Sequence, residues 1–135
     1  RYQIRAGDIL ISCKGKAVKL CVVSKDMPVI LSHDFLGIRT DDTKINRWYL
    51  FYYLQSPAGQ RAIQQIQMGS SIPMIRAVDL EHLPIYYIPL AQQIQYAEEL
   101  HRVNTHVDEQ LMALQGLRQR AYKQYYQKIG LGETL

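Results

Sequence analysis

The side chains best equipped for chemistry in this 135-residue sequence are cationic or amide-bearing rather than nucleophilic. Lys14, Lys16 and Lys19 fall within one short stretch, and Lys44 and Arg47 follow further along. Cations grouped in this way neutralise phosphates, which yields affinity and salt dependence without choice of sequence. Gln64, Gln67, Ser70, Ser71 and Arg76 form a second group. Gln pairs with adenine through two hydrogen bonds, Arg does so with guanine, and Ser serves either, so this group suits base edges. The same residues also suit a solvated helix surface closed by a C-capping glycine, Gly69.

Catalytic constellations are missing by comparison. The chain has no Gly-rich phosphate loop, no Gly-x-Gly-x-x-Gly and no His/Cys cluster at metal-ligand spacing. Asp41 and Asp42 are adjacent carboxylates in a turn and read as solvated. His101 and His106 lie five apart on a helix and so point in different directions. His33 stands beside Asp34 with no nucleophile placed to use it. We therefore assign no catalytic residue, no metal site and no cofactor, and binding becomes the leading class of function.

Charge supports that ranking. Of the formal +4, the excess lies wholly in residues 1–90, with eleven Lys/Arg against seven Asp/Glu, whereas residues 91–135 carry five of each. Residues 1–25 hold Arg1, Arg5, Lys14, Lys16, Lys19 and Lys25 against Asp8 alone, a local field suited to a polyanion. The cysteines, Cys13 and Cys21, read as buried, reduced and apolar. A hairpin centred near Ala17 would set them opposite each other. No run of eighteen apolar residues occurs, and a cytoplasmic location without membrane contact is expected.

Positioning these groups falls to an α+β arrangement. Gly7-Asp8 precedes a β-rich run, Ile9 to Cys13. Lys14 to Ala17 then turns the chain into a returning strand, Val18 to Val23, giving a hairpin with a basic tip. Asp34 to Arg39 reads as another strand, closed by the turn Thr40 to Lys44. A helix follows from about Asn46 to Gln55. Ser56 as N-cap and Pro57 at the first position open a second helix to about Met68, with Ala62, Ile63 and Ile66 on one face. Ile72 to Arg76 is extended, Val78 to His82 makes one helical turn, and Leu83 to Ile88 reads as a final edge strand.

From Leu90 to about Lys128 the sequence predicts one helix, opened by Pro89 and containing a single glycine, Gly116. Such a helix is about 57 Å long. Leu100, Val107 and Leu114 recur every seven residues, with Val103, Leu111, Leu117 and Tyr125 widening the stripe. The stripe suits burial on a domain or coiled-coil-like pairing with a second helix, and the length favours the second helix. Gly116 marks a close helix crossing or a bend. The expected organisation is a compact mixed domain over residues 1–89 with short strands and two central helices. A spacer or dimerisation helix over 90–129 and a tail over 130–135 complete it.

The ordered motifs carry a resemblance. Gly7-Asp8-Ile9-Leu10, the Lys-Gly-Lys tip, Leu31-Ser32-x-x-Phe35-x-Gly37-Ile38-Arg39 and Asn46-x-x-Tyr49-Leu50-x-x-Tyr53-Leu54-x-Ser56-x-x-Gly59 come first. Gly69-Ser70-Ser71-Ile72, Leu80-x-x-Leu83-Pro84-Ile85 and Ile88-Pro89-Leu90-x-x-Gln93 follow in order. Together they resemble a target recognition domain of type I restriction–modification systems, or the same module at the C-terminus of adenine-N6 methyltransferases.

That resemblance implies a domain that reads one half of a split double-stranded DNA sequence. It also implies a helix that pairs antiparallel with another such helix, from a second recognition domain or a second copy. Adenine methylation and restriction would be directed to the site, with catalysis in a methyltransferase subunit or domain and a restriction subunit as a further partner. Gly7, Asp8, Gly59 and Gly69 are carried over as fold positions only. Two departures stand out: family domains carry a stretch before the Gly-Asp motif, so the chain is read as lacking its N-terminal part, and Tyr86 and Tyr87 occupy places where prolines often stand. The competing reading is a helix-mediated protein–protein assembly module that does not touch DNA.

Overall fold

The computed structural model describes residues 3–132, so Arg1 and the end of the 130–135 tail lie outside the described residues. The chain divides into two compact units, Arg1–Glu98 and Glu99–Leu135. The first unit is α+β. Strands β1 (Ile9–Ser12), β2 (Leu20–Val22) and β3 (Phe35–Ile38) form an antiparallel sheet in the order β2-β1-β3. Helices α1 (Arg47–Gln55), α2 (Pro57–Ile66) and α3 (Ala77–Glu81) follow, and α4 (Leu90–Lys128) begins in this unit.

β1 is the central strand, and its alternation explains the core. Ile9 and Ile11 are fully buried and Cys13 continues the same face, as the period-two geometry of a strand requires. Against that face pack Leu50 and Leu54 of α1, Ile63 of α2, Ile75 and Leu83. Burying a side chain such as Leu54 or Ile63 stabilises by about 1.5–3 kcal/mol each. The α1–α2 corner is tight. Asn46 caps α1 by accepting the Tyr49 N–H at 3.0 Å, and Ser56 caps α2 by accepting the Gly59 N–H at 3.1 Å. A Cβ on Gly59 would stand 2.0 Å from the Tyr53 carbonyl oxygen, so no other residue fits there without moving the helix.

Asp8 is the buried acid of the domain. Its carboxylate accepts the Arg5 N–H and two hydrogen bonds from Arg39, all at 2.8 Å, and its carbonyl accepts the Val23 N–H at 2.9 Å. A buried carboxylate is tolerated because the guanidinium and the backbone donor together satisfy it.

Two expectations are corrected. The hairpin is centred between Gly15 and Lys16, not near Ala17, because Ile11 pairs with Leu20 and Leu10 with Cys21. Cys21 is therefore exposed opposite Leu10, and buried Cys13 donates to the His33 carbonyl at 3.2 Å, so the cysteines do not face each other. Leu83 to Ile88 is extended but pairs with no strand. Its carbonyls are taken by side chains instead: the Tyr53 hydroxyl donates to Pro84 at 3.2 Å, the Tyr49 hydroxyl to Tyr86, and Gln93 to Ile88 at 2.8 Å. With side-chain donors answering them, these groups need no ladder.

Gln93, fully buried, also accepts the Asn46 N–H at 2.9 Å, so one amide joins the first turns of α4 to the start of α1. From Glu99 onward α4 is a helix whose apolar stripe is not covered in the single chain: Leu100, Val107 and Leu114 are between 44 and 61 % exposed. It runs unbroken through Gly116, where an added Cβ would meet only the Arg120 guanidinium at 3.5 Å. At 100° per residue Gly116 lies on the side opposite the stripe.

Candidate nucleic-acid interface

The two groups of polar residues that are far apart in sequence are joined by backbone. The β1–β2 hairpin closes at Ser12 and Lys19, where the Ser12 N–H donates to the Lys19 carbonyl at 2.9 Å and the Lys19 N–H donates to the Ser12 hydroxyl at 2.8 Å. Lys14 and Lys16 stand on the turn and Lys19 at its return. After α2, the segment Met68–Met74 folds back on itself. Met68 and Met74 exchange N–H···O bonds of 2.8 Å each, and Gly69 takes φ +102°, a left-handed conformation that glycine adopts without a Cβ clash.

This second loop docks on the first. The Gly15 N–H donates to the Pro73 carbonyl and the Ile75 N–H to the Cys13 carbonyl, both at 2.9 Å, and Lys14 forms an antiparallel bridge with Met74. The Gln67 side-chain amide donates to the Gly15 carbonyl at 3.0 Å. The hairpin tip that carries Lys14 and Lys16 thus adjoins the loop that carries Ser70 and Ser71, and Gln67 spends a donor on holding the two together, while Lys19 and Arg76 are exposed at the hairpin's return and just after the loop. Gln64 is exposed on α2 just before it. Lys44 and Arg47 are placed apart, at the turn and first residue leading into α1.

Ion pairing sorts the cations. Lys14 meets Asp34 at 2.7 Å, and this pairing raises the lysine's pKa and lowers that of the carboxyl. Arg76 holds Asp79 through two bonds of 2.5 and 2.9 Å, which keeps the Asp79 carboxyl below its ordinary value. Arg47 pairs with Asp42 at 2.5 Å and Lys44 with Asp41 at 3.7 Å. The Asp42 carboxyl is lowered first by Arg47, and that of Asp41 first by the Thr43 hydroxyl. Of these candidate cations Lys16 and Lys19 have no carboxylate partner among the described residues, so within the set theirs are the charges most fully presented to an incoming polyanion.

Sequence reasoning missed two features. The first is apolar: Met68, Ile72 and Met74 are 42–64 % exposed on the docked loop, and the signal was three large apolar residues surrounding Gly69-Ser70-Ser71. The second is the polarity of α4, hidden by its neutral total. Residues 91–109 hold Glu98, Glu99, Asp108 and Glu109 against Arg102, while residues 110–132 hold Arg118, Arg120, Lys123 and Lys128 with no acid. Counting charge by half-helix would have found it.

Elsewhere in the first unit a cavity opens beside β3, α1 and α3. It is lined by Leu36, Ile38, Leu50, Leu54, Leu80 and Leu83, with Arg39 and Glu81 its charged members. Its lining offers apolar burial more than acid–base chemistry. Among the described residues no group of three or more His, Cys, Asp or Glu is placed to hold a metal ion, and no helix is long and apolar enough to cross a membrane.

No curated protein matches the chain. A family model described as "Type I restriction modification DNA specificity domain" matches residues 1–113.

Proposed function

The chain belongs to the type I restriction–modification DNA specificity domain family, and from that premise we propose that its first unit reads one half of a bipartite DNA sequence while α4 pairs with another such helix. The observation that carries the DNA reading is the docking of the basic hairpin tip on the Ser70-Ser71 loop. One surface then offers phosphate-neutralising cations, Lys16 and Lys19 foremost, beside hydroxyl and amide groups fit for base edges. Arg76, Lys14, Lys44 and Arg47 add charge by exchanging a carboxylate for a phosphate, and Gln64 adds a further amide.

In this reading the chain performs no chemistry of its own. Adenine methylation and cleavage are directed to the half-site by a methyltransferase subunit or domain and a restriction subunit, working on DNA in the cytoplasm. The helix acts as the ruler. An antiparallel arrangement with a second copy sets the acidic half of one helix, Glu98 to Glu109, against the basic half of the other, Arg118 to Lys128, about a point near Ala113. Leu100, Val107 and Leu114 lie at the seam between them. Complementary charge beside an apolar seam favours that direction over a parallel one.

A salt series of duplex binding tests the DNA reading. Affinity should fall linearly on logarithmic axes, and alanine at Lys14, Lys16 and Lys19 should lessen the slope by about 1 for each phosphate no longer neutralised, evenly across sequences. The exposed stripe of α4 favours the competing reading, an assembly module alone. Self-association in sedimentation without DNA response at any salt would decide for it.

A further inference from the structure

The loop Met68–Met74 carries more exposed apolar surface than a solvated turn needs. Three of its seven residues are large and apolar, and Ile72, at 64 % exposed, is the most open of them. Polar substitutes at these places would cost the fold little, since the loop is held by other means. Met68 and Met74 close it through backbone bonds, Ile75 anchors it in the core, and Gln67 and the Pro73 carbonyl fasten it to Gly15. Its conformation is set before any partner arrives, so little ordering entropy would be lost on binding.

The neighbours of this apolar surface identify its partner. Pro73, next to Ile72, accepts the N–H of Gly15, whose sequence neighbours are Lys14 and Lys16. Ser70 and Ser71 stand between Met68 and Ile72. Apolar side chains set among hydroxyls and flanked by cations match the major-groove edge of a base pair between two phosphate backbones. On that edge the one apolar group is the C5-methyl of thymine. A closed two-stranded loop is also narrow enough for a groove about 12 Å wide.

Resting on the DNA reading above, we propose that Ile72, with Met68 and Met74 beside it, forms an apolar patch that recognises a thymine methyl group in the half-site. Ser70 and Ser71 hydrogen-bond to the adjoining base edges. Specificity at this position then comes from burial of a methyl against Ile72 rather than from a hydrogen bond.

The test starts from a pool of randomised duplexes selected for binding to the full chain. The selected duplex is then remade with each thymine replaced in turn by deoxyuridine, which removes only the methyl. Affinity should fall about fourfold at one or two positions, the effect expected for losing one buried methyl. Ile72→Ala should bind the thymine duplex more weakly and no longer distinguish the deoxyuridine duplex at those positions, with Met68→Ala as a milder second variant. Both sites are exposed, so folding should survive. A selected sequence of G·C pairs alone, equal affinity for thymine and deoxyuridine throughout, or an Ile72→Ala chain that keeps the discrimination would overturn the patch while leaving DNA recognition standing. A pool from which nothing is enriched would overturn both.

Discussion

The two compact units of this chain spend their apolar residues in opposite ways. In the first, Ile9, Ile11, Leu54 and Ile63 are at most 1 % exposed, packed around the central strand of a small sheet. In the second, the regularly spaced Leu100, Val107 and Leu114 remain open along one helix. The first unit's core stabilises its own fold, while Met68, Ile72 and Met74 stay exposed on one loop and Lys16 and Lys19 have no carboxylate partner among the described residues. The second unit's apolar stripe is exposed in the single chain, as a surface meant for a partner would be. Charge differs in the same sense, since the first unit carries a net excess and α4 a division into acidic and basic halves.

Truncations read that contrast most strongly. Leu54→Ala should lower the unfolding free energy of the first unit by about 2–5 kcal/mol, whereas Leu114→Ala should barely change the unfolding of a dilute, unassembled chain. Denaturant melts at low concentration would show both. Next comes assembly: glutamate at both Leu100 and Leu114 should abolish self-association in sedimentation while leaving the melt of the first unit in place. An unchanged assembly state after that double change would remove the docking role of the stripe.

A smaller effect separates the cations. Lys16→Ala with Lys19→Ala should weaken duplex binding at low salt more than Lys44→Ala with Arg47→Ala, because the latter pair is already engaged by Asp41 and Asp42. Anisotropy titrations would rank them. The smallest expected change is a gain. Asp34→Asn should release Lys14 and raise duplex affinity about two- to threefold at low salt. Its pH counterpart follows in sign. With its folded-state pKa lowered, Asp34 stabilises the fold above the ordinary carboxylate range, and that contribution is lost as pH falls through the depressed value. Because the pair is solvent-exposed, the melt should move only slightly in acid.

Local chemistry made much of this fold legible. Ser56 announced its helix as a capping residue, Pro57 and Pro89 marked first turns, and the β-rich run from Ile9 to Cys13 named the strand on which the core is built. Legibility failed where the outcome depended on a distant partner. The hairpin register, in which Leu10 meets Cys21 where a centre at Ala17 would set it against Ser24, is not recorded in the turn residues. Leu83 to Ile88 has the composition of a strand, yet its Pro84 and Tyr86 carbonyls are held by Tyr53 and Tyr49, whose reach across the fold no local pattern records. The site shows the same division. Its cations were visible as residue types, but their carboxylate partners and the docking of the Ser70-Ser71 loop on Gly15 arise from tertiary structure.

The central claim is that one unit reads DNA and the other sets spacing, and selection of randomised duplexes by the intact chain tests it most directly. A chain that pairs through α4 should enrich one short motif occurring twice in inverted orientation at a single fixed separation. With glutamate at Leu100 and Leu114 the motif should persist and the fixed separation should vanish. Failure of a folded, self-associating chain to enrich any motif at low salt would contradict it.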